Sequence, residues 1–187
     1  FGSEIAGLGG DEQFIKSIAS GKIYRGIYGN NIIFSTELEG GTLSMGNGYS
    51  KVVDRFQLGG RSFRGFKYSG IGPRELSGGS YTIPLGGENY AIARFAASFP
   101  LGLPRELGLY GSVFAEAGTL WGLKTDSSVP GLSDKVALTE RSFRSSIGFA
   151  MNWETPIGPL QFNWSRPQKY LEADSLEYFS LNLATRF

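Results

Sequence analysis

The stretch FRSSIGFAMNWETPIGPLQFNWSRP (Phe143–Pro167) alternates on both sides of a turn. Before the turn, Phe143, Ile147, Phe149, Met151 and Trp153 share one face with Ser145, while Arg144, Ser146, Gly148, Ala150 and Asn152 share the other. After Thr155–Pro159, Leu160, Phe162 and Trp164 alternate with Gln161, Asn163 and Ser165. A period of two residues is that of a β-strand with two unlike faces. The closing segment from Leu176 repeats it, with Phe179, Leu181, Leu183 and Phe187 opposite Ser180, Asn182, Ala184 and Arg186.

Moving towards the N-terminus, Leu109–Trp121, Glu88–Pro100, Asn31–Gly40 and Glu12–Gly26 read as further strands, and the residues up to Leu8 as the end of another. The expectation is an all-β antiparallel fold of eight strands, each near the ~9–11 residues that cross a bilayer at a tilt. A soluble β-sandwich shares this alternation. Two features favour a transmembrane barrel. Trp121, Trp153, Trp164, Tyr170, Tyr178 and Phe187 fall near expected strand ends, where a barrel carries aromatic girdles. Connections also alternate in length, with long ones at 51–87 and 122–140, short ones at 101–108 and 155–158, and a medium one at 167–174. That parity suits outer loops and periplasmic turns.

Composition narrows the chemistry. The 187 residues contain no Cys and no His, so disulfides, thiolate catalysis, the commonest general base and the commonest metal ligand are all missing. A net charge of +1 gives no basic field for nucleic acid. Asp54, Glu75 and Asp134 lie in loops without a partnered nucleophile, so no enzyme, metal site or cofactor is expected. No run of about 18 apolar residues encodes a membrane helix. The opening FGSEIAGLGG has no basic segment followed by an apolar one, and the chain reads as a fragment or processed piece.

The connection from Lys51 to Gly87 is too long to be idle. Its DRFQLGGRSFRGF holds Phe56, Leu58, Phe63 and Phe66, which need a dry environment, so the loop is expected to fold back into a barrel lumen. A sequestered arginine there needs an acceptor.

DRFQLGG, SFRGF (Ser62–Phe66) and GIGPR (Gly70–Arg74) resemble the lumenal loop of the Omp85-type outer-membrane assembly barrels, whose hallmark is an Arg-Gly-Phe core. The similarity continues in order through SFPLGLP (Ser98–Pro104), VFAEAGTLW (Val113–Trp121), Phe143–Pro167 and the final TRF. The resemblance implies a barrel of about sixteen strands in the bacterial outer membrane, with this chain supplying the last eight. The first strands and the periplasmic POTRA domains would lie outside it. It implies a loop motif of Arg64, Gly65, Phe66, Gly72, Pro73 and Arg74, with Glu116 where the family usually has Asp as the loop arginine's partner. A second acidic partner of the family appears as Ala96, which leaves Glu88 or a backbone carbonyl as alternatives, and a seam glycine appears as Ala184. Function follows by resemblance: client outer-membrane β-barrel proteins would be inserted through a lateral seam at the last strand, with accessory lipoproteins and the lipid bilayer as further partners. Phe187 resembles the C-terminal signal of such barrels. A secretion barrel of the same family is the alternative, though GIGPR and ETPIGPLQFNW fit it less well. Eight strands cut from a larger sheet leave two edges, and closure into a small barrel or pairing of two copies is expected to satisfy them. An open eight-stranded sheet with free edges and no partner segment missing would overturn the half-barrel reading.

Overall fold

The structure is a computed structural model that describes residues 2–6, 13–27, 29, 31–46, 48–124, 135–156 and 158–183. The strands are β1 (Gly2–Ala6), β2 (Phe14–Ile27), β3 (Ile32–Met45), β4 (Arg74–Ser77), β5 (Ser80–Pro84), β6 (Asn89–Pro100), β7 (Leu109–Trp121), β8 (Val136–Ala137), β9 (Arg144–Thr155), β10 (Gly158–Lys169) and β11 (Phe179–Leu183). Eight of them form one antiparallel sheet in the order β1-β2-β3-β6-β7-β9-β10-β11. Strand β7 has the bounds read from the alternation, whereas β3 runs on to Met45, past Gly40 where the expected strand ended. Ladder pairing there with Tyr90 and Ala91 of β6 overrides the weak strand preference of glycine.

The faces settle which alternation this is. On β9 the buried residues are Arg144, Ser146, Ala150 and Asn152, while Ile147 and Trp153 are exposed. On β10, Asn163 and Ser165 are buried and Trp164 is exposed. A sandwich would bury Ile147 and Trp153 and wet Ser146 and Asn163. Here the small and polar face is covered and the apolar face looks outward, the arrangement of a sheet whose outer solvent is lipid. Trp164 departs from the girdle expectation: paired with Phe149 in mid-strand, it meets the rings of Phe149, Phe162 and Phe179 at 5.9, 6.5 and 5.5 Å. Its position is set by the outward register of β10, not by a strand end.

The connection 51–87 covers the inner face. Phe56, Leu58, Phe63, Phe66 and Ile71 from the loop are buried together with Leu43, Tyr90, Ile92 and Leu120 from β3, β6 and β7. This contact is the hydrophobic core. Aperiodic as its first part is, the connection ends in the hairpin β4–β5, closed by Gly78 and Gly79 at φ +58° and +79°. Two consecutive positive φ values suit a tight hairpin turn, and glycine adopts them without strain. The short β8, from the connection between β7 and β9, pairs with β4 and makes a second, three-stranded sheet.

Among the described residues the expected closure is not seen. The main sheet ends at β1 and β11, which do not pair with each other over the described residues. An eight-stranded barrel has an interior filled by its own wall side chains. The loop core occupies that space here, so closing the sheet would expel Phe63, Phe66 and Ile71 from contacts in which they are essentially fully buried. Burial of such side chains stabilises by about 1.5–3 kcal/mol each, which opposes closure. Over the described residues the sheet is open, against the expectation of a small barrel, and the reading of a partial barrel rests on the facing pattern and the fold comparison below.

Candidate functional site

In SFRGF the two phenylalanines fix the arginine between them. Phe63 and Phe66 are both buried, with ring centroids 4.9 Å apart. Arg64 turns to the sheet, where its Nε donates to Glu116 Oε1 at 2.7 Å and its Nη2 lies 2.6 Å from the same oxygen. Its backbone N–H donates to Glu116 Oε2 at 2.7 Å, so both carboxylate oxygens hold the same residue. The guanidinium carbon stands 3.5 Å from the centroid of the Phe114 ring, two residues along β7 on the same face. Ser146 Oγ on β9 donates to the Arg64 carbonyl at 2.6 Å. With the Glu116 side chain only 2% exposed, these charge-assisted bonds are made out of water, where they are strong and costly to leave unmade.

Gly65 is required by this docking. Its φ is +94°, and a Cβ there would come within 2.9 Å of Ser146 Cβ. Gly72 is tighter still, at φ +102° with an added Cβ 2.5 Å from Leu120 Cδ2. Pro73 is fully buried, and its carbonyl accepts from Leu85 N–H at 2.9 Å. Arg74 is set apart from the Arg64 cluster: its Nη2 donates to the Gly70 carbonyl at 2.9 Å and to Ser175 Oγ at 3.2 Å. Burial lowers its pKa from the ordinary arginine value, with nearby Arg144 adding to the lowering and Asp174 opposing it.

A second latch was not legible in the sequence. Arg94 of β6 donates through Nε and Nη2 to the Ser62 carbonyl at 3.0 and 2.7 Å, and through Nη1 to Glu37 Oε1 and Glu39 Oε2, both at 2.9 Å. Tyr90 Oη donates to Glu39 at 2.6 Å, and Lys22 Nζ lies 3.0 Å from Glu37. The available signal was Glu37 and Glu39 two residues apart on one strand face, with Arg94 in an otherwise apolar segment. Ala96, where the family's second acid was expected, faces Phe114 across the ladder. The second wall group on the loop is therefore a cation gripping a carbonyl. Glu88, the alternative partner for Arg64, accepts instead from Ser50 Oγ at 2.7 Å.

Of the seam residues, Phe179, Leu181 and Leu183 are exposed on the outer face of β11, with β11 paired to β10 from Phe179↔Trp164 to Leu183↔Leu160. Phe187 and Ala184 lie outside the described residues, as does Asp134. Among the described residues no group of acidic side chains could hold a metal ion.

The whole chain, residues 1–187, matches the model of the Omp85 superfamily domain. The chain belongs to the Omp85 superfamily. Among relatives of this Omp85 chain, the outer membrane protein assembly factor BamA of Neorickettsia risticii is 29% identical over 191 aligned residues, covering 100% of this chain and 24% of that protein. The sorting and assembly machinery component 50 homolog of Mus musculus is 39% identical over 114 residues, 59% of this chain and 23% of that protein. The chain thus spans about a quarter of the length of these relatives. In fold, the Omp85 chain matches the crystal structure of BamA from Haemophilus ducreyi lacking POTRA domains 1–3 with a TM-score of 0.77 at 22% identity, over 95% of this chain and 36% of that one. An open sheet superposing on about a third of a longer chain is the relationship expected of a partial barrel.

Proposed function

We propose that this chain is the C-terminal part of a bacterial outer-membrane barrel that inserts client outer-membrane β-barrel proteins, without enzymatic chemistry. The observation that carries the reading is the Arg64–Glu116 latch, which docks an Arg-Gly-Phe loop on the inner face of an apolar-outward sheet. Bacterial relatives named as outer membrane protein assembly factors support it, as does the mouse relative named as a sorting and assembly machinery component homolog. In this reading the connection 51–87 is a lumenal loop, and clients pair with the free edge of β11 by strand addition, since backbone groups in hydrocarbon must find partners. Phe187 would serve as the barrel's own insertion signal. Accessory lipoproteins of an assembly machinery and the lipid bilayer are the other proposed partners, and no nucleic acid is involved. A secretion barrel of the same superfamily would use the same loop but would pass an unfolded chain through the lumen. The deciding experiment reconstitutes the intact protein in liposomes and follows folding of an urea-denatured client barrel by gel mobility without boiling. Client folding well above that in empty liposomes is expected, and no acceleration would refute the insertion reading.

A further inference from the structure

The connection between β10 and β11 does more than join two strands. Its residues Ser175–Tyr178 bond to the loop on one side and to the wall on the other. Lys67 N–H donates to the Ser175 carbonyl at 2.9 Å, Ser175 N–H to the Gly70 carbonyl at 2.9 Å, and Glu177 N–H to the Gly65 carbonyl at 2.9 Å. Phe66 and Leu176 form a β-bridge between them. One residue further, Ser165 N–H of β10 donates to the Tyr178 carbonyl at 2.8 Å, and from Phe179 the chain is β11. The Arg-Gly-Phe loop and the last strand therefore share one continuous strap of backbone.

The N-terminal end of that strap is held by an ion pair with no exposed side-chain surface. Arg144 of β9 donates through Nε to Asp174 Oδ2 at 3.0 Å and through Nη2 to Oδ1 at 3.2 Å, and its Nη1 donates to the Ser142 carbonyl at 2.8 Å. Asp174 Oδ2 also accepts from Leu171 N–H at 2.7 Å, and Asp174 N–H donates to the Leu171 carbonyl at 2.9 Å, which closes the turn that enters the strap. Arg74 completes the corner by bonding Ser175 Oγ and the Gly70 carbonyl. A buried charge pair is poor value as a source of stability, since apolar side chains of similar size often serve as well. Its bidentate geometry does fix position.

We infer that Arg144 and Asp174 are positioning residues that lock the strap, so that displacement of the Arg-Gly-Phe loop and release of β11 from its place beside β10 are one coupled event. The inference rests on the reading of β11 as the strand at which clients enter, and it adds what controls that strand. A loop seated on Glu116 holds Ser175–Glu177 through three backbone bonds, and these hold the start of β11. A loop withdrawn from the inner face removes them together. The coupling is reciprocal, because the same bonds connect the two elements in either direction.

The test is hydrogen exchange of the intact protein in liposomes, following the segments 61–70 and 175–183 in Asp174→Asn. Both segments are expected to exchange about tenfold faster or more, the effect of losing one charge-assisted contact, while β6 and β7 keep their protection. If Asp174→Asn yields too little folded barrel, Arg144→Lys keeps the charge without the fork and is expected to show a smaller rise in both segments. A second arm frees the loop from the far side: Arg64→Lys, which touches neither Arg144 nor Asp174, is expected to accelerate 175–183 as well. Acceleration of one segment without the other in these variants, or of neither, overturns the inference. Client folding measured on the same samples separates the two proposals: coupled exchange in a protein that folds no client sinks the insertion reading and leaves the strap standing.

Discussion

Arg94 and Glu116 are directly opposed on neighbouring strands β6 and β7, yet each reaches the loop: Glu116 takes the guanidinium and backbone N–H of Arg64, and Arg94 takes the carbonyl of Ser62. The loop tip is thus held by a wall anion and a wall cation acting on residues two apart. Opposite charges facing each other on a sheet would ordinarily pair. Here Glu37 and Glu39 supply Arg94 with carboxylates, and Arg64 supplies Glu116 with a cation, so the cross-strand pair is free to clamp a third element.

Arg64→Ala leaves Glu116 buried without its cation. Removing one partner of such a pair costs about 3–5 kcal/mol. The variant is expected to show earlier loss of the heat-modifiable gel form and, on the proposed insertion reading, reduced client folding. Glu116→Gln is expected to behave similarly, and the Arg64→Ala/Glu116→Gln double variant to cost clearly less than the sum of the two. Strict additivity would show that the contact does not matter.

Arg94→Met removes the second grip and leaves Glu37 and Glu39 close together without their shared cation. Faster cleavage by an added protease near Arg61 is the expected readout, with Arg64 still seated. The partly exposed carboxylates can recover water, so the loss is expected to be about 1–3 kcal/mol, smaller than for Arg64. A protease pattern identical to that of the unaltered protein would show that the Ser62 carbonyl needs no such donor.

Gly72→Ala puts a methyl into the side chain of Leu120 at a φ that disfavours any Cβ. A destabilisation of about 2–4 kcal/mol is expected from overpacking and strain together. Adding Leu120→Ala is expected to recover the steric part and leave the strain. Loop protection from protease, measured for the single and double variants, checks this.

The inverted facing predicts a contrast at adjacent positions of β11. Leu181→Arg puts a cation on the outer face and is expected to cost up to about 2–4 kcal/mol of barrel stability in lipid, depending on depth. Asn182→Arg points to the inner face and is expected to cost much less. Urea titration in liposomes compares them, and equal costs would contradict a lipid-facing outer surface.

The alternation in Phe143–Pro167 was enough to place β9, β10 and both of their faces, because period two is a local property of an extended chain and needs no knowledge of neighbours. The same holds for β7 and for the need of Phe56, Leu58, Phe63 and Phe66 to leave water. Arg64 and Glu116 could be paired beforehand only through the likeness of their motifs to a known family, since 52 residues separate them and no local period connects them. Which face is covered was decided by tertiary structure: alternation distinguishes two faces but does not say which one meets lipid and which meets the loop. The roles of Arg94, Arg144 and Asp174 were beyond the sequence for a related reason. Each is an ordinary polar residue in its own segment and becomes a clamp only when strands far apart in the chain bring a carbonyl or carboxylate to it. Closure was misjudged because the strands alone would favour a small barrel. The folded loop, a three-dimensional object that fills the space such a barrel would need, holds the sheet open.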